Sequence, residues 1–211
     1  MRQSRKRSRR RSAGIFLLSC LRSMHHTRIA AFLLGALLLG SLFLAFVATR
    51  NFRAVDSVLN SPPPEASKMI QTLGHENARQ LLRYLAGEEN RGYFEVWELA
   101  QLALGTALTG FLLFGVENRL LAGLAGMMLI LTLFQHFKIT PDLLWMGRSI
   151  DFLPAAAESE THAQFWKLHG IYGGIEVVKM LLAVTIAGFL LPMRRRPVGS
   201  ITPTNAMSMV D

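Results

Sequence analysis

Four apolar stretches, each close to the roughly 20 residues needed to cross a bilayer core about 30 Å thick, constrain this chain more than any other feature. They run from Ile29 to Thr49, Phe94 to Val116, Leu120 to Phe137 and Ile171 to Pro192. Apolar runs this long, separated by charged connections, predict spans and loops rather than a water-soluble core, and 51% hydrophobic against 18% charged residues agrees. The expected fold class is all-α: an integral membrane four-helix bundle with short amphipathic helices in its two outer loops. Those loops are Arg50 to Tyr93 and Lys138 to Gly170, and the third connection is the tight turn Glu117-Asn118-Arg119. The chain divides into a basic tail (1–28), a four-span membrane domain (29–192) and a second basic tail (193–211).

A formal net charge of +9 raises the question of nucleic acid, and the position of the charge answers it. Nine cations precede the first span (Arg2, Arg5, Lys6, Arg7, Arg9, Arg10, Arg11, Arg22, Arg28), the turn adds Arg119 and the tail adds Arg194, Arg195 and Arg196. Against these thirteen stand Glu117 and Asp211, while the two long loops, together with the start of the second span, carry nine cations and eleven acids. One side is near +11 and the other near −2. Cations collect on the inner flanks of bacterial spans. The expectation is a multi-pass protein of the cell inner membrane, N-in and C-in, with the lipid bilayer as partner, a homo-oligomer or membrane partner besides, and no nucleic acid.

Residues 1–23 admit three readings. The basic run followed by Ala13 to Cys20, ending Leu17-Leu18-Ser19-Cys20, has the form of a lipoprotein signal. The absence of any acid in the first 55 residues, with abundant arginine and serine, has the form of a mitochondrial presequence. The third reading is a plain basic tail, with Met24 as an alternative start. Cys20 is the only cysteine, which excludes an intrachain disulfide.

The outer loops carry helix signals. Ser61-Pro62-Pro63-Pro64-Glu65 places a capping serine, prolines and an acid at a helix start, and Gly74 ends that helix. A second helix is expected from Glu76 to Ala86, with Ala78, Leu81, Leu82 and Leu85 at helical spacing and Arg79 and Arg83 opposite, lying on the membrane surface or capping the bundle. Thr140-Pro141-Asp142 starts another short helix. Thr161 with Gln164 forms a capping box for the last long helix, which begins near His162.

Ionisable groups within a span are expensive, so they face the bundle interior or a water-filled cavity and mark function by default. On the fourth span His169, Tyr172, Glu176 and Lys179 fall within about 80° of one helical face. The second span presents Glu95, Glu98, Thr106 and Thr109 within a similar arc, with Gln101 beside it, and the third ends in Thr132, Gln135 and His136. Helix rise puts these groups at similar depths, so Glu98, Gln101, Gln135, His136, His169, Tyr172, Glu176 and Lys179 form a candidate ligand-binding polar pocket toward the outer side. Glu176 and Lys179 equally form an i,i+3 ion pair with a purely structural role. Small residues four apart, such as Ala36 and Gly40, are accounted for by close helix packing.

The carboxylates and imidazoles also fit metal ligation or acid/base chemistry, although no HExxH or similar spacing accompanies them. His136 and His169 are candidate axial ligands of a haem between the third and fourth spans. A small transporter is a further alternative, without visible inverted repeats. Gly40-Ser41-Leu42-Phe43 followed by Asn51-Phe52-Arg53, together with Leu168-His169-Gly170 opening the last span, resembles bacterial four-span inner-membrane proteins of uncharacterised function. The resemblance implies a topology and no activity. The leading expectation is a non-enzymatic membrane protein whose outer-side polar pocket has a binding or structural role.

Overall fold

The computed structural model describes residues 2–116, 118–152 and 160–193, with side chains described between 25 and 190. Every regular element among these residues is helical. Six helices follow one another: α1 (Arg2–Asn60), α2 (Pro64–Leu73), α3 (His75–Gly110), α4 (Arg119–Phe134), α5 (Thr140–Ile150) and α6 (Glu160–Met193). A π-helical turn, Phe111–Gly115, extends α3, and another, Gln135–Ile139, joins α4 to α5. Four helical passages are long and apolar enough to cross a membrane: His25–Asn60, His75–Gly115, Arg119–Ile150 and Glu160–Leu190. The end of the bundle that carries α2 is called outer below, and the end at Asn118 inner. Glu117, Arg194 to Arg196 and Asp211 lie outside the described residues, as does the side chain of Cys20.

The helices outrun the apolar stretches, and this corrects the expected loops. Hydropathy falls at Arg50, but the sequence from there to Asn60 holds no proline or glycine, so α1 continues. Val55 and Leu59 are buried on this extension against Ala78 and Ala86, with Phe52, Ile70 and Leu82 packed around them. The segment Glu76 to Ala86 is therefore the first part of α3, running without a break into the apolar passage, and not a separate surface helix. Its Leu81 and Leu85 are exposed while Ala78 is buried. Arg83 reaches Asp56 at 3.3 Å and lies over the Phe52 ring.

Ser61 does not cap α2. Its N–H donates to Ser57 O at 3.0 Å and closes the last turn of α1, while Pro63, in extended conformation, precedes Pro64 at the start of α2. Gly74 then reverses the chain between α2 and α3 with φ of 82°, a left-handed value that glycine adopts without a Cβ clash.

The short helix expected to start at Thr140-Pro141-Asp142 is α5, with Pro141 in its first turn, although the chain enters it from a π turn rather than from a loop. A proline inside a helix lacks one N–H and crowds the carbonyl four residues back. Here the turn takes up one extra residue, with the Thr140 N–H donating to Gln135 O, and α5 follows without a break. At the other tight turn, Asn118 accepts from the Leu121 N–H at 3.1 Å and caps α4. The last helix starts at Glu160, so Thr161 is inside it and Gln164 donates to Glu160 Oε1 at 3.0 Å rather than completing a capping box.

The inner half of the bundle is an apolar core drawn from the four long helices: Leu34 and Leu37 of α1, Leu108 and Leu112 of the α3 passage, Leu121 and Ala125 of α4, Ala183 and Ile186 of α6. Higher up, Gly40 lets α1 and α3 approach closely, because the Trp97 ring occupies the space a Cβ would need. The outward surface of these helices is also apolar: Phe32, Leu39, Phe43, Phe114, Leu120, Ile130 and Leu181 are all exposed.

Candidate functional site

The outer half of the bundle replaces the apolar core with two stacked polar layers. Helical spacing builds both. Glu98 and Gln101 lie one turn apart on α3, and Tyr172, Glu176 and Lys179 follow at intervals of four and three on α6. Thr132 stands in the last turn of α4, the π turn presents Gln135 and His136, and Thr140 opens α5. Residues five apart on an ordinary α-helix point about 140° away from each other. The extra residue of the π turn allows Gln135 and Thr140 both to face inward, where each is buried.

Glu98 is the centre of the outer layer and has no solvent exposure. Its Oε1 accepts from Thr140 Oγ1 at 2.5 Å and from the Tyr172 hydroxyl at 3.0 Å. Its Oε2 lies 3.0 Å from His136 Nδ1. A carboxylate can only accept when ionised, so in neutral imidazole the proton sits on Nδ1 and Nε2 keeps its lone pair. The His136 side chain is 27% exposed, which makes it the one member of this layer open to the surroundings. Phe94 stands edge-on to Tyr172 at 5.8 Å and closes the layer from above.

Lys179 is the centre of the inner layer, 5% exposed. Its ammonium donates to Gln101 Oε1 at 2.5 Å and Thr132 Oγ1 at 3.3 Å, and sits 2.6 Å from Glu176 Oε1 in a contact that is ionic rather than a well-angled hydrogen bond. Two hydrogen bonds and one ionic contact, from three helices, thus surround the ammonium. Glu176 Oε2 in turn accepts from Ser41 Oγ of α1 at 3.5 Å and from Gln101 Nε2 at 3.4 Å, and Gln101 Nε2 is shared with Ser41 Oγ at 3.2 Å. Beneath Lys179 a cavity of about 20 Å³, lined by Gly105, Leu129 and Ala183 among other residues, is the size of one water molecule.

Seven of the eight residues expected to form the pocket line these layers. Gln135 donates to Tyr172 O at 3.3 Å, and its Oε1 has no hydrogen-bond partner among the described residues. His169 is the eighth. It stands exposed on α6, stacked on Phe165 and edge-on to Trp166, away from both layers. Glu95 is likewise exposed, and Thr106 and Thr109 bond to carbonyls of their own helix. Among the described residues no group of three or more His, Cys, Asp or Glu side chains could hold a metal ion.

Ser41 and Thr140 entered the site without being expected in it. Ser41 had a signal, since it is the only hydroxyl between Ile29 and Ala48. Above the two layers Asn51 donates to Asn90 Oδ1 at 2.8 Å, and buried Asn90 donates to Ala48 O at 3.2 Å, joining α1 to α3. Higher still, Arg91 bridges Glu88 and Asp151 at 3.0 and 2.7 Å, and Arg148 joins Glu88 at 3.0 Å. Burial pushes the Asp151 carboxyl above the usual carboxylate range, and the Arg91 hydrogen bond pulls against it. No protein-family model matches this sequence, no curated protein matches it, and no solved structure matches its fold.

Proposed function

We propose that this chain is a multi-pass protein of a cell inner membrane, with both termini on the cytoplasmic side, and that its outer-half polar site has a structural and binding role rather than a catalytic one. The observation that carries the reading is Lys179, held by Gln101, Thr132 and Glu176 on three helices while Ser41 on the fourth holds Glu176. A charge in hydrocarbon persists only when paired and hydrogen-bonded. These bonds select the one arrangement of four helices that satisfies all of them.

The exposed apolar residues of the four passages support insertion, because in water they would form a patch far larger than a soluble monomer tolerates. The charge difference between the two sides supports the orientation. The closed apolar core of the inner half favours binding over conduction, and the His136 edge together with the outer helical hairpin is where a partner or small ligand is met. Reporter fusions after Asp211 and within 76–86 should report opposite sides. The same side for both sinks the four-span reading.

One observation favours a second reading. A partly exposed imidazole whose Nδ1 is held by a buried carboxylate has the second-shell support common among metal and haem ligands. A small transporter belongs to the same group of alternatives. An absorption spectrum with metal analysis of detergent-purified protein separates the readings: a Soret band or a stoichiometric metal replaces the first reading by the second.

A further inference from the structure

One short helix ties the outer end of the molecule to the polar layers. α5 runs antiparallel along α3: Thr140 meets Glu98, Arg148 meets Glu88 and the Phe152 ring meets Tyr84, so the chain ascends one helix as it descends the other. The first of these contacts belongs to the outer layer, and beyond it the fastening is ionic. Arg148, Glu88, Arg91 and Asp151 alternate in sign along one chain of contacts of 3.0, 3.0 and 2.7 Å. A Cβ built at Gly87 of α3 or Gly147 of α5 would stand 3.2 or 3.1 Å from the Arg91 guanidinium, so these two glycines make the room through which it reaches Asp151. Phe165 of α6, also beside Gly147, brings no charge to the contact. At its other end α5 is joined to α4 by the π turn Gln135–Ile139. A π turn interrupts the regular ladder, and Pro141 has no N–H to give back to it. The same turn carries His136 and delivers Thr140 to Glu98. A helix of about 16 Å thus has a weak joint at the site and a charged fastening at its far end.

We infer that α5 is a gate to the layer of Glu98 and His136, hinged at the π turn and latched to α3 through Arg91 and Arg148. With the latch broken, α5 swings away from α3, the Thr140 hydroxyl leaves Glu98, and the partly exposed edge at His136 opens to the outer side. Ion pairs suit a latch, because salt and competing charges weaken them and leave the apolar contacts between the long helices in place. The inference rests on the binding role proposed for the outer layer and supplies the route by which a ligand enters it.

Distances between spin labels test the gate. The full chain in detergent, with Cys20→Ser to remove the only native thiol, is labelled at Leu81→Cys of α3 and Ser149→Cys of α5, both exposed positions. A second labelled protein, with Leu120→Cys and Phe189→Cys, reports the inner end of the bundle. Pulsed paramagnetic resonance should give one narrow distance for the outer pair when the latch is intact. Asp151→Asn with Arg148→Gln removes both links from the α5 side and leaves Arg91 paired with Glu88. A lost hydrogen bond to a charged group is worth about tenfold or more in the open population, so a longer distance should appear for the outer pair alone. In the unlabelled variant, carbethoxylation of His136 relative to exposed His169, read by mass spectrometry, should quicken. An unchanged outer distance overturns the inference. So does lengthening of both pairs, which would mean general loosening, and so does a longer outer distance with no change at His136. Opening as expected in a protein that retains no ligand supports the gate and counts against the binding role alone.

Discussion

Glu176 and Lys179 lie one turn apart on α6 with Oε1 and Nζ separated by 2.6 Å, and the other three long helices supply the remaining partners of the pair. Lys179→Met alone leaves the Glu176 carboxylate without its cation, held only by Ser41 and Gln101, and should destabilise the protein by about 3–5 kcal/mol. The double change Glu176→Gln with Lys179→Met should cost less than that single one. Thermal unfolding in detergent of the wild type, both single variants and the double variant measures the coupling, and additive effects mean that the two side chains do not interact.

The close approach of α1 to α3 depends on Gly40. A Cβ there would overlap the Trp97 ring, so Gly40→Ala should force the helices apart or the indole out, at about 1–3 kcal/mol. The three nearest atoms all belong to the six-membered ring of the indole, which phenylalanine lacks in that position. Gly40→Ala with Trp97→Phe should therefore recover part of the loss. A Gly40→Ala protein with the wild-type thermal midpoint refutes the contact.

Gly105 gives the opposite sign. A Cβ at that position meets Leu129 Cδ1 at 3.5 Å, an ordinary contact, and points to the small cavity beneath Lys179. Gly105→Ala should stabilise by roughly 0.5–1 kcal/mol through helix propensity and cavity filling. A lowered midpoint in the same assay would show that the space is needed by something other than a methyl group.

Tyr172 and Thr140 share one oxygen of Glu98. Tyr172→Phe and Thr140→Val each remove a hydrogen bond to a charged group and should each cost about 1.5–3 kcal/mol. Together they leave the carboxylate to His136 alone, so the double variant should lose more than the sum. Simple additivity of the two midpoint shifts would show that Glu98 does not depend on the pair.

Those residues also show what the sequence discloses and where it stops. The ion pair of Glu176 with Lys179 was legible from spacing and depth, because two opposite charges one turn apart in an apolar run have few other ways to coexist. The ends of the helices were not legible. Hydropathy falls at Arg50 because the surroundings change, while helix geometry continues until the prolines after Ser61, and the two signals were read as one. The helix start at Thr140-Pro141-Asp142 was legible, but its continuity with α4 was not, since a π turn leaves no mark of its own in the sequence. His169 sits about 80° around α6 from Lys179, so an arc wide enough to include both takes in the buried face and its exposed border. Asn90 gave no warning either, being one polar residue among many between Gly87 and Tyr93.

The unbroken continuation of α1 and α3 beyond the apolar zone makes the outer hairpin a stiff lever with its fulcrum at the contact of Gly40 with Trp97. Asn60 is twenty residues from that fulcrum, roughly 30 Å along the helix, whereas Ser41 is its immediate neighbour. A tilt of about five degrees at Gly40 displaces the tip by roughly 2.6 Å over that length, and moves Ser41 hardly at all. A partner that grips α2 thus works at long arm against the short arm that carries the Ser41 contacts with Glu176 and Gln101. Small forces outside the bundle become concentrated torque on the bonds around Lys179.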